Sequence, residues 1–121
     1  MNNVKETTRR LERKSRDKMI SDYKELRIYL MDSLSKFSRT KITDLEVCTS
    51  GKKDIVIIST GRNHYSFSYN GKDISVEQVN FNGDYEKLLN VITAVRYHKK
   101  KINDIMYLYK MVMKYRWTKY L

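Results

Sequence analysis

No proline interrupts this 121-residue chain, and its four glycines, Gly51, Gly61, Gly71 and Gly83, all fall in the middle third at intervals of ten to twelve residues. Glycine and proline are the strongest local punctuation, so turns are confined to that stretch and both ends are free to form long uninterrupted elements. Each glycine sits in a turn-like context: Thr49-Ser50-Gly51-Lys52, Thr60-Gly61-Arg62-Asn63, Asn70-Gly71-Lys72-Asp73 and Asn80-Phe81-Asn82-Gly83-Asp84. Asn70-Gly71 is the strongest signal, because both residues tolerate the positive φ that a type I′ hairpin turn requires. The β-rich runs between the turns, 42–49, 54–60, 64–69 and 73–81, predict a four-stranded antiparallel meander over residues 41–82.

Strand faces follow from period-2 alternation. Tyr65, Phe67 and Tyr69 alternate with His64, Ser66 and Ser68, and Leu45, Val47 and Thr49 oppose Asp44, Glu46 and Cys48. Ile55-Val56-Ile57-Ile58 is apolar on both faces, which predicts a central strand. Ile74 and Val76 share one phase while Val79 and Phe81 take the other, and a bulge near Gln78 reconciles them.

Both ends read as helix. Met19, Tyr23, Leu26, Leu30, Leu34 and Phe37 recur at three- and four-residue steps, an apolar stripe for a helix ending near Ser38. Val4 and Leu11 keep its phase while Thr8 and Ser15 interrupt it, so residues 1–15 are expected as a basic, exposed helical arm supported by pairs such as Glu6/Arg10 and Glu12/Arg16. The second helical region spans 84–118, with Asp84 after Gly83 as N-cap or first-turn acid. Its stripe runs through Tyr85, Leu88, Ile92, Val95, Ile102, Met106, Tyr109, Met113 and Trp117, broken at Lys99. One helix of 35 residues is unusual in so small a domain, so two helices meeting within 96–101 are expected. The order describes a single α+β domain over 1–121: an N-terminal helix, a four-stranded antiparallel meander, and a C-terminal helix or helix pair packed on one sheet face.

Charge is segregated in the same way. Residues 1–40 hold eleven Lys/Arg against six Asp/Glu, residues 41–83 five of each, and residues 84–121 nine against three, so the formal +11 resides in the two ends. A neutral scaffold presenting two positive elements suits a polyanionic partner. No run approaches the roughly 18 apolar residues of a membrane span. Residues 1–18 lack the apolar stretch of a secretory leader, and a lone Cys48 fits a reducing compartment. A cytoplasmic location with no membrane partner is therefore expected.

Chemistry-bearing motifs are scarce. Gly51-Lys52 and Gly71-Lys72 lack the upstream glycine and following hydroxyl of a phosphate loop and read as polar hairpin turns. His64 and His98 have no Cys or carboxylate at ligand spacing, so no metal and no cofactor is expected. Cys48 has no adjacent base and reads as a small packed residue, while Asp44 and Glu46 read as a solvated strand face. Nothing points to an enzyme.

Basic clusters are the richer signal. Arg9, Arg10, Arg13, Lys14 and Arg16 put five cations within eight positions, with Lys18 following; on a helix Arg9, Arg13 and Arg16 form a row that can track phosphates, or else a solvated face interleaved with Glu6, Glu12 and Asp17. Arg96, Lys99, Lys100 and Lys101 suit either a helix C-terminus or a phosphate clamp. Lys110, Lys114, Arg116 and Lys119, interleaved with Tyr115, Trp117 and Tyr120, suit stacking beside phosphate contact, or a helix that packs Trp117 inward while its cations reach solvent. The strand aromatics Tyr65, Phe67 and Tyr69 are better placed to fill the helix–sheet interface than to stack on bases.

The coarse order resembles the double-stranded RNA-binding domain, which runs helix, three strands, helix. Where that family carries a Gly- and Lys-rich motif at the start of its last helix, this chain reads Asn82-Gly83-Asp84-Tyr85-Glu86-Lys87, and it adds a fourth strand, so no site residue is carried over. Size, basicity and a composition rich in Lys, Asn, Ile and Tyr with a single alanine, Ala94, also resemble small early phage proteins, including some anti-CRISPRs. The expected function is non-enzymatic binding of nucleic acid, DNA or RNA, as a phage or mobile-element regulatory factor; a homodimer would set two grips in register with a duplex. The alternative is a phage-type inhibitor, an anti-CRISPR or host-takeover factor, that docks on a host protein or nucleoprotein complex.

Overall fold

The computed structural model describes the backbone of residues 2–50 and 53–118 and the side chains of residues 15–49 and 53–114. Its elements are α1 (Asn2–Ser38), β1 (Asp44–Ser50), β2 (Lys53–Thr60), β3 (Asn63–Tyr69), β4 (Ile74–Asn80), α2 (Tyr85–Tyr97) and α3 (Lys99–Thr118). The strands form one antiparallel sheet in the order β1-β2-β3-β4, with the doubly apolar β2 inside it.

Register aligns the apolar phases into two rows across the inner face, Leu45–Ile58–Tyr65–Val79 and Val47–Val56–Phe67–Val76. At β4 the pairing jumps from Ser66↔Gln78 to Phe67↔Val76, which leaves Glu77 as a bulged residue. Two successive residues, Glu77 and Gln78, thus face outward, and Val79 returns to the phase of Ile74 and Val76. Helices cover only the inner face: α2 lies against β4, α3 against β1 and β2, and α1 against both helices and β1. Leu30 and Leu34 of α1, Val91, Ala94 and Val95 of α2, and Ile102, Ile105 and Met106 of α3 close the core over the sheet.

The apolar stripes differ from the sequence expectation at their ends. Phe37 is 44% exposed and Tyr85 67% exposed, while Ser38 is buried. Ser38 is accommodated because its hydroxyl donates to Leu34 O at 2.6 Å and accepts from Thr40 N–H at 3.3 Å, satisfying backbone groups where α1 ends. Ser35 likewise donates to Met31 O and accepts from Ile42 N–H, tying the chain that leaves α1 back onto it. Arg39 makes the reversal with φ 55°, a left-handed conformation that costs a side-chain-bearing residue energy. Thr49, placed with the inner phase, is exposed.

The hairpin at Asn70-Gly71 also differs from the two-residue type I′ turn expected. Tyr69 pairs with Ile74, leaving a four-residue loop, and Asn70 keeps an ordinary negative φ. Its side-chain oxygen accepts from Lys72 N–H at 2.9 Å and Asp73 N–H at 2.8 Å, so an Asx turn replaces the backbone turn. Two helices do form at the C-terminal end. They meet at His98, whose Nδ1–H donates to Ala94 O at 2.7 Å while its carbonyl accepts from Ile102 N–H at 3.0 Å. Asp84 caps α2 through Glu86 N–H at 2.9 Å.

Two substitutions test this account. Leu34→Ala should lower the unfolding free energy by about 2–5 kcal/mol, because a fully buried side chain leaves a cavity. Arg39→Gly should raise it by about 0.5–1 kcal/mol, as relief of the left-handed strain outweighs the added freedom of the unfolded chain. Urea titrations with unchanged slope read both.

Candidate nucleic-acid interface

Some cations are engaged by carboxylates or backbone of the fold. Arg27 of α1 reaches the outer edge of β1, donating through Nε to Leu45 O at 2.9 Å and pairing with the Asp44 carboxylate. An edge strand presents unpaired backbone groups, and Arg27 covers one of them. Lys110 of α3 pairs with Asp54 of β2, Lys36 with Asp32 at 3.0 Å, and Lys53 with Glu77 at 3.4 Å. Tyr23 of α1 lies 6.0 Å from Tyr109 of α3 between their ring centroids, and burial raises its phenol above the ordinary value of 10.0, partly offset by Arg27.

The cations of the basic clusters separate into groups. Arg16 lies 3.8 Å from Asp17 on α1, and Lys18 is exposed one turn before the packed part of that helix. Arg9, Arg10, Arg13 and Lys14 belong to the helical backbone of α1, and their side chains lie outside the described residues, as do those of Arg116 and Lys119. Lys114 is exposed on α3. The segment 96–101 does not act as one cluster. Arg96 and Lys99 line a shallow cleft of about 340 Å³ with Asp73 and Ile74, beside the β3–β4 loop. Lys101 turns the other way, over the Tyr29 ring at 5.8 Å, in a groove between α1 and α3 that also holds Asp22 and Glu25. Lys100 is exposed between them. Among the described residues, Lys18, Arg96, Lys99, Lys100, Lys101 and Lys114 make no ion pair.

The bare outer face of the sheet has the opposite character. Its cross-strand rows are Asp44–Ser59–His64–Asn80 and Glu46–Ile57–Ser66–Gln78, lining a shallow depression of about 420 Å³. Ser59 and His64 lie directly opposite each other and share a hydrogen bond at 2.8 Å between Oγ and Nδ1, a pairing that sequence separation alone did not suggest. A nucleophile–base pair needs a third group to orient the base. The carboxylate in that row, Asp44, is turned to Arg27 and to its neighbour's Leu45 N–H at 2.8 Å. Cys48 is half-buried on this same face.

A further feature escaped the charge-based reading. Phe37 at the end of α1 stacks on Tyr97 at the end of α2, with ring centroids 4.7 Å apart and planes at 23°. The His98 ring stands edge-on to both, at 5.6 and 5.4 Å. Tyr97 is out of phase with Val91, Ala94 and Val95, and that offset is the signal that marks it as a surface ring.

Among the described residues no group of three or more His, Cys, Asp or Glu could hold a metal ion, and no helix is long and apolar enough to cross a membrane. Neither a protein-family model, nor a curated protein, nor a solved structure matches this chain.

Glu77 supplies a pH test of the sheet. The Ser68 hydroxyl, at 2.6 Å, and the Lys53 ammonium favour its ionised form and hold it below the ordinary 4.5. A carboxyl lowered on folding adds stability above its ordinary value, and that contribution is lost as pH falls through the lowered one. The stability difference between wild type and Glu77→Gln, from urea midpoints, should be constant at neutral pH and shrink once pH drops below 4.5.

Proposed function

We propose that the protein is a non-catalytic nucleic-acid-binding factor that grips the phosphate backbone with its helical layer, in a phage or mobile-element setting and in the cytoplasm. The observation that carries this reading is the contrast between cations with structural partners and those without. Arg27, Lys36, Lys53 and Lys110 each have a carboxylate, whereas Arg96, Lys99 and Lys100 are exposed around the α2–α3 junction with no ion pair among the described residues. The helices together carry a large excess of Lys/Arg over Asp/Glu, whereas the bare sheet face bears Asp44, Glu46 and Glu77. A polyanion therefore meets its favourable potential on the helical side. The basic run 9–16 adds further positive charge on the helical backbone of α1, near the end of that helix opposite the Phe37–Tyr97 contact.

A second reading, an inhibitor docking on a nucleoprotein complex, draws support from Ile28, Tyr29 and Tyr107, which are 66%, 53% and 62% exposed on α1 and α3. Large exposed apolar side chains beside cations suit a mixed protein and nucleic-acid surface.

Fluorescence anisotropy against duplex DNA, single-stranded DNA and duplex RNA over a salt series tests the proposal. If six to ten phosphates are engaged, affinity should fall about 10³–10⁵-fold between 50 and 200 mM salt. Arg96→Ala/Lys99→Ala/Lys100→Ala should reduce the log–log slope on a duplex by up to about 2.7, at roughly 0.9 per lost contact. Weak binding to all three, with a flat salt response unchanged by the variant, would overturn the proposal and turn attention to a protein target.

A further inference from the structure

We infer that the stacked pair Phe37–Tyr97, braced by His98, is a platform on which an unpaired base of a single-stranded nucleic acid stacks. This rests on the phosphate-binding reading and narrows it to a substrate class. The core beneath is already closed by Leu34, Val91 and Val95, each essentially inaccessible to solvent. Tyr97 nevertheless holds a ring at the surface with 74% of the residue exposed, so the ring contributes little to apolar burial. One ring face lies on Phe37, and at this exposure the opposite face is open.

The ring also rests on anchored neighbours. Phe37 comes from the last turn of α1 and Tyr97 from the last residue of α2, two elements fixed against each other by the core. The His98 ring is pinned by its Nδ1–H bond to Ala94 O at 2.7 Å, and it stands at 89° to Phe37 and 70° to Tyr97. A ring fixed before binding loses little conformational freedom when a ligand stacks on it.

Cations neighbour the platform in sequence. Arg39 follows Phe37 by two residues, Arg96 precedes Tyr97, and Lys100 follows it by three residues at the start of α3, all of them exposed. An aromatic face among phosphate-binding cations is the arrangement by which proteins hold single strands: the cations follow the backbone and the ring takes a base face. A duplex buries its base faces in its own stack, so only an unpaired or displaced base can use this surface.

The test uses the whole protein and three labelled ligands of equal length at one salt concentration: oligo(dT), an oligomer with abasic sites at its central positions, and a DNA duplex. Wild type should bind oligo(dT) about 5- to 150-fold more tightly than the abasic strand, the range expected for one stacked base. Tyr97→Leu keeps an apolar cover on Phe37 without a π face, and it should bind oligo(dT) as weakly as the abasic strand, with its salt slope unchanged. Tyr97→Phe should behave as wild type. Equal affinity of wild type for oligo(dT) and the abasic strand overturns the platform whatever the variants do. If that equality comes with a steep salt slope, phosphate binding stands and the platform alone fails. If no ligand binds with a salt slope, both readings fail together.

Discussion

The two cross-strand rows on the inner face of the sheet, Leu45–Ile58–Tyr65–Val79 and Val47–Val56–Phe67–Val76, are the surface on which the remaining elements rest. A four-stranded sheet is stable only when an apolar face is covered, and here three helices share that one task. Register is thereby fixed, since a slip by one residue would carry Tyr65 and Phe67 to the bare face and His64 and Ser66 into the core. The Glu77 bulge belongs to the same constraint. Without an extra residue on β4, Val79 could not join Tyr65 on the inner side.

Covering one face has an electrostatic consequence. Most of the chain's excess positive charge lies in the helical segments, and all helices lie on one side, so the fold separates a basic layer from a sheet face bearing Asp44, Glu46 and Glu77. The cations nearest the body are consumed in holding elements together: Arg27 caps the β1 edge and Lys110 fastens α3 to β2. Those at the α2–α3 junction are left exposed. Structural and solvent-facing cations look alike in a charge count, and only their neighbours distinguish them.

The ends of the helices show how polar groups shape the surface. Ser35 and Ser38 satisfy backbone groups where α1 stops, which lets the chain turn sharply into β1. Phe37, the stripe residue next to that turn, is then directed away from the core and finds Tyr97 and His98 instead. The aromatic cluster is thus a product of where two helices end.

Much of the architecture is legible in the sequence. The glycine spacing marked the turns, period-2 alternation in 64–69 assigned its faces, the reversed phases of Ile74 and Val79 called for a bulge, and the break at Lys99 divided the last helical region. These are local signals, because turn chemistry and periodicity act between residues close in the chain. What sequence could not give were relations between distant residues: Arg27 on Asp44, Lys110 on Asp54, Ser59 opposite His64, the opposite directions taken by Arg96 and Lys101, and the meeting of Phe37 with Tyr97. The Asn70 turn missed for a related reason, since the same Asn-Gly pair serves a type I′ turn or an Asx turn and the strand register chooses between them. Local pattern set the elements and their faces, and packing of those faces decided which side chains became neighbours.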